Sequence, residues 1–197
     1  MTGKEKPDPP GRIKIMASFS RLMQEKDFHS ITTAQIAKNA DVTEGLIYKY
    51  FKDKKDLLYQ VLNAHFQEFH EKIKIRMTQA TSSIAKLDLI ILASLEEYLE
   101  NRLLSKILLL EVRNSQAFFN SGAYEMVTVY ARTILKIIRE GIASGEIAAD
   151  TDPYLLRKVI IGAIEHACLG EVIFGKPLDI KKTAAGISDI IFNGVKP

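Results

Sequence analysis

Hydroxyl, carboxylate and cationic side chains are concentrated between positions 43 and 54, where their spacing suits recognition and not catalysis. Glu44 and Tyr48 are four residues apart, as are Gly45 and Lys49, so each pair lies on one side of a helix. Hydroxyl and ammonium groups there can donate to base edges and to phosphate oxygens. The chain contains no phosphate-binding glycine loop, nucleophile elbow or metal-ligand cluster. We therefore predict a binding protein, not an enzyme, with no catalytic residue, no metal site and no cofactor.

Two short helices joined by a tight turn are predicted to position these side chains. Thr32 or Thr33 can cap the first helix, and Thr43 can cap the second. Asp41 lies in the connecting turn, where it tolerates backbone angles that most residues avoid. Apolar residues recur on the inner side of both helices: Ile36, Ala37, Ala40, Leu46, Ile47 and Phe51. This arrangement is that of a helix-turn-helix, whose second helix enters the major groove of DNA.

The same stretch resembles a known family over a long and specific pattern. Residues 32–58 follow T-T-x-x-I-A-x-x-A-x-V-T-x-G-x-I-Y-x-Y-F-x-x-K-x-x-L-L. This pattern is similar to the amino-terminal domain of the TetR family of transcriptional regulators, and the likeness covers roughly residues 12–62. One position departs from the family, because Asp27 precedes Phe28 where the family usually has glycine. Since Asp is among the few residues besides glycine that tolerate the left-handed region, we expect the turn to survive this change.

The resemblance implies which side chains meet DNA. Positions that match phosphate contacts in the family are Thr33, Tyr48, Tyr50 and Lys54. Positions that match contacts to base edges are Thr43, Glu44, Gly45 and Lys49. Glu44 has a second role open to it, because its carboxylate can cap its own helix in place of accepting from a cytosine amino group. Either tyrosine ring can also pack against the first helix with only its hydroxyl directed outward.

The composition is that of a globular protein. Hydrophobic residues make up 47% of the 197 positions and charged residues 26%, and the net charge of +3 is too small for a protein that coats DNA. No apolar stretch approaches the ~20 residues that cross a bilayer, and the polar amino terminus resembles neither a signal peptide nor an anchor. Cys168 is the single cysteine, which excludes an intrachain disulfide and favours a reducing, cytoplasmic location. We expect Cys168 to be a small buried side chain.

We predict an all-α protein of about nine helices in three parts. Residues 1–9 are polar and rich in proline, and are predicted to form a disordered arm. Residues 10–56 are predicted to form a three-helix DNA-binding domain with a helix-turn-helix, and residues 57–197 a helical effector-binding and dimerisation domain. Helical periodicity covers residues 53–77, 84–102, 103–116, 122–144, 153–174 and 178–194, between stop signals such as Gly145 and Gly175.

The last two predicted helices carry more apolar surface than one chain of this size covers by itself. Small residues among them would let another backbone approach closely. The family resemblance implies that this helix pair forms a four-helix interface with a twofold mate, which sets two recognition helices roughly 34–36 Å apart on DNA. The predicted dimer-interface residues are Val159, Gly162, Ala163, His166, Ala167, Gly170, Ile187 and Ile191.

The middle helices are predicted to surround an effector pocket, because they carry more apolar side chains than one packed layer needs. The candidate lining residues are Tyr98, Leu104, Ile107, Leu108, Glu111, Arg113, Phe118, Tyr130 and Arg132. Glu111 follows Leu104 and Leu108 on the same helical stripe, so its carboxylate requires a partner. That partner is either an internal arginine, Arg113 or Arg132, or a bound ligand.

The carboxy-terminal part resembles, more loosely, regulators of fatty-acid metabolism within the TetR family. Residues 110–113, 138–147 and 152–153 carry this likeness, and it implies a long-chain acyl-coenzyme A or a related apolar effector. The resulting hypothesis is a homodimeric repressor that leaves a palindromic DNA operator when a small apolar effector binds. Two alternatives stay open: a regulator of drug efflux that responds to a hydrophobic xenobiotic, and a helical protein-interaction scaffold that does not use DNA.

Overall fold

The computed structural model describes residues 8–194, and all regular structure in that range is helical. Internal packing divides the described residues into two units, with the boundary between Leu62 and Asn63. The α-helices are α1 (Pro10–Glu25), α2 (Thr33–Ala40), α3 (Glu44–Tyr50), α4 (Lys54–Met77), α5 (Ser83–Glu100), α6 (Arg102–Lys106), α7 (Gln116–Phe119), α8 (Gly122–Ser144), α9 (Pro153–Phe174) and α10 (Ile180–Asn193). The all-α prediction is confirmed. Most of the arm predicted over residues 1–9 lies outside the described residues.

Helices α1, α2 and α3 and the first turns of α4 build the first unit around an apolar core. Its fully buried side chains include Ile15, Phe19, Ile36, Ile47, Phe51, Leu57 and Leu62. Ser18 of α1 is also buried, and its hydroxyl donates a 2.9 Å hydrogen bond to the carbonyl oxygen of Ile36 in α2. This bond ties α1 to the helix-turn-helix and satisfies a hydroxyl that would otherwise be costly to bury.

The turn between α2 and α3 takes the shape expected from its residues. Thr32 caps α2 in a reciprocal capping box with Gln35, which satisfies two backbone N–H groups at the helix start. Asp41 ends α2 with a φ of 54°, and it is the one non-glycine residue with positive φ in the described chain. The prediction for Asp41 is therefore confirmed. The left-handed turn redirects the chain within three residues, and α3 packs against α2.

The turn expected after α1 is present, but Asp27 does not take the left-handed conformation in it. Asp27 is extended, with φ −62° and ψ 142°, and it precedes a single 3₁₀ turn, Phe28–Ser30. The reversal after α1 is made by this turn, and its carbonyl groups are held by the ammonium group of Lys54. A glycine-like residue is not needed at position 27 because the 3₁₀ turn provides the change of direction.

Helix α5 is the centre of the second unit. It is apolar around most of its circumference and packs against α8, α9 and α10, as expected for a helix surrounded by others. The core on it includes Leu87, Ile90, Ile91 and Leu95 of α5. Gly145 and Gly175 end α8 and α9 in the left-handed conformation that glycine adopts without strain. No helix in the described residues is both long and apolar enough to cross a membrane.

The predicted helix over residues 103–116 is interrupted, which is why ten α-helices are described in place of about nine. Helix α6 passes directly into one π turn, Ile107–Glu111, and then into one 3₁₀ turn, Val112–Asn114. A π turn contains more residues than an α turn, so the side chains that follow it are rotated relative to the α-helical pattern. This rotation decides which residues of the segment face inward.

Candidate DNA-binding surface and ligand cavity

The outer side of α3 is an exposed polar surface in the first unit. Thr43, Glu44, Gly45, Tyr48 and Lys49 are all exposed there, and the Tyr48 side chain is 56% exposed. A Cβ added at Gly45 would have no heavy atom within 4 Å. The absence of a side chain at this position is therefore not required by packing within the chain, and it leaves room for an external molecule beside the helix.

A small hydrogen-bonded cluster sits at the start of α3. The Thr33 hydroxyl donates to the Glu44 carboxylate and lies 3.5 Å from the Tyr48 hydroxyl. Glu44 therefore links α3 to α2, which favours a positioning role over acceptance from a base. Thr43 occupies the residue before α3, as predicted, but its side chain makes no capping hydrogen bond. The Thr43 hydroxyl is thus left available on the outer surface.

Tyr50 and Lys54 are placed differently from the other predicted DNA contacts. Tyr50 is half-buried, and its ring edge lies 3.5 Å from the site of a Cβ at Gly11, so it packs beside α1. The ammonium group of Lys54 donates to the carbonyl oxygens of Phe28 at 2.8 Å and Ile31 at 2.7 Å. It also lies 4.5 Å from the centre of the Phe28 ring. These contacts give Lys54 a structural role, and its phosphate contact stays a prediction.

The second unit contains a cavity of about 110 Å³ whose wall is mostly aromatic and aliphatic. Its lining residues are His65, Phe66, Phe69, His70, Ser94, Glu97, Tyr98, Leu104, Ser105, Leu108, Arg113, Met126, Val127, Tyr130, Ala131, Ile161 and Glu165. Burial raises the pKa of Tyr98 and of Tyr130, so both phenols are neutral hydrogen-bonding groups at physiological pH. The Tyr130 hydroxyl lies 2.8 Å from the Ser94 hydroxyl.

Two acid–base pairs belong to the cavity wall. Arg113 forms a bidentate pair with Glu165 of α9, with one of its two hydrogen bonds at 3.0 Å. The Glu97 carboxylate of α5 lies 3.0 Å from His65 Nε2 of α4 and accepts a 2.6 Å hydrogen bond from Asn101. Burial opposes ionisation of Glu97, but the hydrogen bonds and nearby cations outweigh it and lower its pKa. Both carboxylates therefore have a basic partner within the cavity wall.

The cavity wall also contains a buried imidazole, His70, which is 8% exposed. Its Nδ1 has no hydrogen-bond partner in the described structure. Burial lowers the pKa of His70, and the charge of Lys74 lowers it further, while Glu71 partly opposes both. The imidazole is therefore neutral near pH 7.

Five of the nine predicted pocket residues line the cavity: Tyr98, Leu104, Leu108, Arg113 and Tyr130. Ile107 and Phe118 are buried elsewhere, and Phe118 packs against Phe119 and Tyr124. The prediction that Glu111 lies on the inner stripe is wrong, because the π turn rotates it to an exposed position. Arg132 is exposed on α8, and Arg113 pairs with Glu165 of α9.

Sequence reasoning missed the cavity residues contributed by α4 and most of those from α5, α8 and α9. Phe66, Phe69 and His70 are spaced by three and four residues on α4, which is the signal for a shared face. The same spacing is found on a helix face that packs into a core, so it does not distinguish a cavity wall from a core. Glu165 carried a further signal, since it is a carboxylate within an apolar helix.

Helices α9 and α10 have apolar side chains on the side away from the core. Ile160, Ile164, Cys168 and Val172 of α9 face inward and are buried. On the other side, Val159 is 46% exposed, and Gly162 and His166 are exposed. Ala163, Ala167, Gly170, Ile187 and Ile191 are half-buried, and Ile190 of α10 is 59% exposed. The predicted interface residues thus lie on or beside an uncovered apolar surface.

Comparison with known families agrees with this architecture. Residues 15–61 match the family described as bacterial regulatory proteins, tetR family, and residues 62–194 match the family described as YsiA-like protein, C-terminal region. The chain belongs to the TetR family. As a TetR-family protein it is a DNA-binding transcriptional regulator, and the predicted family resemblance is confirmed.

Relatives place this TetR-family chain near regulators of fatty-acid metabolism. The fatty acid metabolism regulator protein of Bacillus subtilis is 26% identical over 186 residues, which cover 94% of this chain and 96% of the relative. The crystal structure of FadR from Bacillus subtilis in complex with stearoyl-CoA has a TM-score of 0.83 at 26% identity, covering 93% of this chain and 99% of that one. FadR from Bacillus halodurans, a fatty acid degradation regulator, has a TM-score of 0.84 at 23% identity, with 97% and 99% covered, and shares the fold. These relatives are regulator proteins.

Proposed function

We propose that this protein is a homodimeric repressor that binds a palindromic operator through α3 and is released by an acyl-coenzyme A. The apolar cavity of the second unit carries this proposal, because it offers the acyl group a desolvated binding site. The same polypeptide also contains a helix-turn-helix. The relative from Bacillus subtilis that binds stearoyl-CoA supports the choice of ligand class.

The size of the cavity supports release by population shift. At about 110 Å³ it is slightly smaller than an engineered cavity of about 150 Å³ that holds benzene. A long acyl chain is several times larger than benzene, so its binding requires the surrounding helices to separate. A ligand shifts an equilibrium only by its differential affinity for two states. Because only the expanded state can hold the acyl chain, the ligand has a higher affinity for that state than for the compact one.

The uncovered apolar surface of α9 and α10 supports assembly into a dimer. Val159 and Ile190 are exposed there, and the glycines Gly162 and Gly186 have no heavy atom within 4 Å of an added Cβ. A second copy of the same surface would cover these side chains with closed twofold symmetry. A twofold dimer presents two α3 helices to two half-sites, which explains why a palindromic operator is expected.

Operator binding measured with and without thioester tests the proposal. An operator is first selected from random DNA by the purified protein, and its affinity is then measured by fluorescence anisotropy. We expect stearoyl-CoA below its micelle concentration to weaken operator binding by about tenfold or more, which is a coupling free energy of about 1.4 kcal/mol. Coenzyme A alone and free stearate serve as controls. No change with any thioester would overturn the choice of effector.

The same assay separates the two alternatives. Release by hydrophobic drugs and not by thioesters would identify a xenobiotic regulator. Replacement of Tyr48 and Lys49 by alanine tests the scaffold alternative, because both side chains are exposed on α3 and neither belongs to the core. We expect the double variant to fold normally and to lose operator binding. Retention of full operator affinity would contradict the assignment of α3 as the DNA-reading helix.

A further inference from the structure

The polar side chains of the cavity wall differ in how far the protein itself uses their hydrogen-bonding groups. Arg113 pairs with Glu165, and His65 pairs with Glu97. These four side chains have partners within the wall and need none from a ligand. The other polar residues that line the cavity are His70, Ser94, Tyr98, Ser105 and Tyr130.

The direction of the hydrogen bonds decides what the serines and Tyr130 can still offer to a ligand. The Ser105 hydroxyl donates a 3.0 Å hydrogen bond to the carbonyl oxygen of Asn101. The Ser94 hydroxyl donates its single proton to the carbonyl oxygen of Ile90 at 2.7 Å. In the 2.8 Å contact between Ser94 and Tyr130, the donor is therefore the tyrosine. The proton of Tyr130 is used in this way, and its phenol oxygen can still accept a hydrogen bond.

Tyr98 and His70 keep hydrogen-bonding groups that nothing else in the described chain uses. The Tyr98 hydroxyl makes no hydrogen bond to another described residue, so its proton is available. The His70 side chain is buried, and its Nδ1 has no partner among the described residues. A neutral imidazole nitrogen either donates or accepts, depending on the tautomer. Because a buried polar group without a partner destabilises the protein, these groups at a cavity indicate that a ligand pairs with them.

We propose that the acyl chain of the effector carries a hydroxyl group, which binds inside the cavity to Tyr98, Tyr130 and His70. The inference rests on the proposed function and narrows the class of acyl-coenzyme A. A hydroxyl group accepts from Tyr98, donates to the oxygen of Tyr130, and can take either role toward His70. A carbonyl group on the chain only accepts, so it could not pair with the oxygen of Tyr130.

The same groups disfavour an unsubstituted acyl chain. Such a chain would cover His70, Tyr98 and the oxygen of Tyr130 without giving any of them a partner. A site with polar groups placed for a ligand hydroxyl rejects the analogue that lacks it more strongly than an apolar pocket rejects one methylene. These three residues are therefore expected to set the specificity of the cavity.

Calorimetric binding of thioesters that differ by one oxygen atom tests the proposal. Stearoyl-CoA is compared with its 3-hydroxy, 10-hydroxy and 12-hydroxy derivatives, which place the hydroxyl at different depths along the same chain. We expect at least one derivative to bind about tenfold or more tightly than stearoyl-CoA, because its hydroxyl pairs with groups that are otherwise unpaired.

Two variants locate the preference for the hydroxyl in the cavity wall. Tyr98→Phe and His70→Phe each remove a polar group and keep a ring in its place. We expect each to reduce the preference for the best hydroxylated thioester by about fivefold, and to leave stearoyl-CoA binding within about twofold. Tyr124→Phe is the matched control, since this tyrosine of α8 lies outside the cavity wall and should keep the full preference. Circular dichroism checks that all three variants are folded.

The outcomes separate this inference from the proposed function. Affinities of all three derivatives within about twofold of that of stearoyl-CoA would overturn the hydroxyl proposal and leave the acyl-binding cavity intact. Full preference for the hydroxyl in both Tyr98→Phe and His70→Phe would overturn it too. So would an equal loss of affinity for both kinds of thioester in these variants, because that is the result of a general structural role. Failure of every thioester to bind would overturn the proposed function itself.

Discussion

Lys54 holds the turn after α1 in place through its ammonium group. This group donates to the carbonyl oxygens of Phe28 and Ile31 and faces the Phe28 ring. Partial burial lowers the pKa of Lys54, and the carbonyl contacts compensate the charge. We expect Lys54→Met to lower the free energy of unfolding by roughly 1–3 kcal/mol, because several carbonyl groups lose their donor. Urea denaturation measures this change.

Lys55→Met is the matched control for that measurement. Lys55 is the next residue of α4 and is exposed, so its replacement should change the free energy of unfolding by less than about 0.5 kcal/mol. Equal effects of the two substitutions would show that the carbonyl contacts of Lys54 contribute little to stability.

His70 gives the second unit a pH-dependent stability. Burial lowers the pKa of His70 below its ordinary value of 6.5 in the folded protein. The unfolded chain therefore binds the proton more readily, and the free energy of unfolding falls as the pH drops from about 7.5 through 6.5 to the folded pKa. We expect His70→Phe to reduce this fall, since phenylalanine does not titrate. Urea denaturation of both proteins between about pH 7.5 and 5 measures the difference, and parallel pH profiles would contradict it.

At the scale of the element, the outer side of α3 has open space beside Gly45. Gly45 has open space around it, so Gly45→Leu should not destabilise the fold. We expect this substitution to weaken operator binding by about tenfold or more, because the new side chain occupies the space into which a DNA backbone would fit. Anisotropy with the selected operator measures the affinity, and thermal denaturation checks the fold. Unchanged operator affinity would move the DNA contact away from the start of α3.

Helices with uniform periodicity were predictable from sequence, and the interrupted segment was not. The bounds of α8 and α9 agree with the predicted ranges 122–144 and 153–174, because glycine and Asp-Pro signals end or start a regular 3.6-residue pattern there. Glu111 was misplaced for the opposite reason. A strict α-helical spacing from Leu104 puts it on the inner stripe, but the π turn rotates it outward. Nothing in the residue types of the π turn distinguishes it from an α turn.

The α3 surface and the cavity differ in how close their residues are to one another in the sequence. The α3 surface comes from neighbouring residues of one helix, so its exposed members could be read from spacing alone. The cavity is assembled from α4, α5, α6, α8 and α9 and from the turn that carries Arg113. Which apolar side chains line it depends on how these helices pack, and that is a tertiary property. The Arg113–Glu165 pair spans 52 positions in the sequence and could not be inferred from either residue alone.

At the scale of the whole molecule, the proposed dimer can be tested without disturbing the protomer. Gly162 lies on α9 with no heavy atom near an added Cβ, so Gly162→Arg leaves the protomer core intact. We expect it to shift the dimer toward monomer, since a charged side chain would be buried without a partner at the twofold interface. Analytical ultracentrifugation measures the dissociation constant, which should rise by about tenfold or more.

Ala143→Arg provides the control for that experiment. Ala143 is exposed on α8, outside the apolar surface of α9 and α10, and its replacement should leave the dimer unchanged. A monomeric Gly162→Arg protein should also bind the operator more weakly, because the two half-sites are then occupied independently. An unaltered dimer of Gly162→Arg would place the twofold contact on another surface.

The burial of Cys168 makes the protein suitable for chemical labelling. Its thiol lies wholly inside the core of the second unit, and burial raises the pKa of Cys168 to about 12. Only the thiolate reacts with alkylating reagents, so Cys168 is not modified while the core is closed. The rate of its modification then reports how often the core opens. A cysteine introduced on the outside of α3 would react alone, and a probe attached there would report the separation of two recognition helices without removal of Cys168.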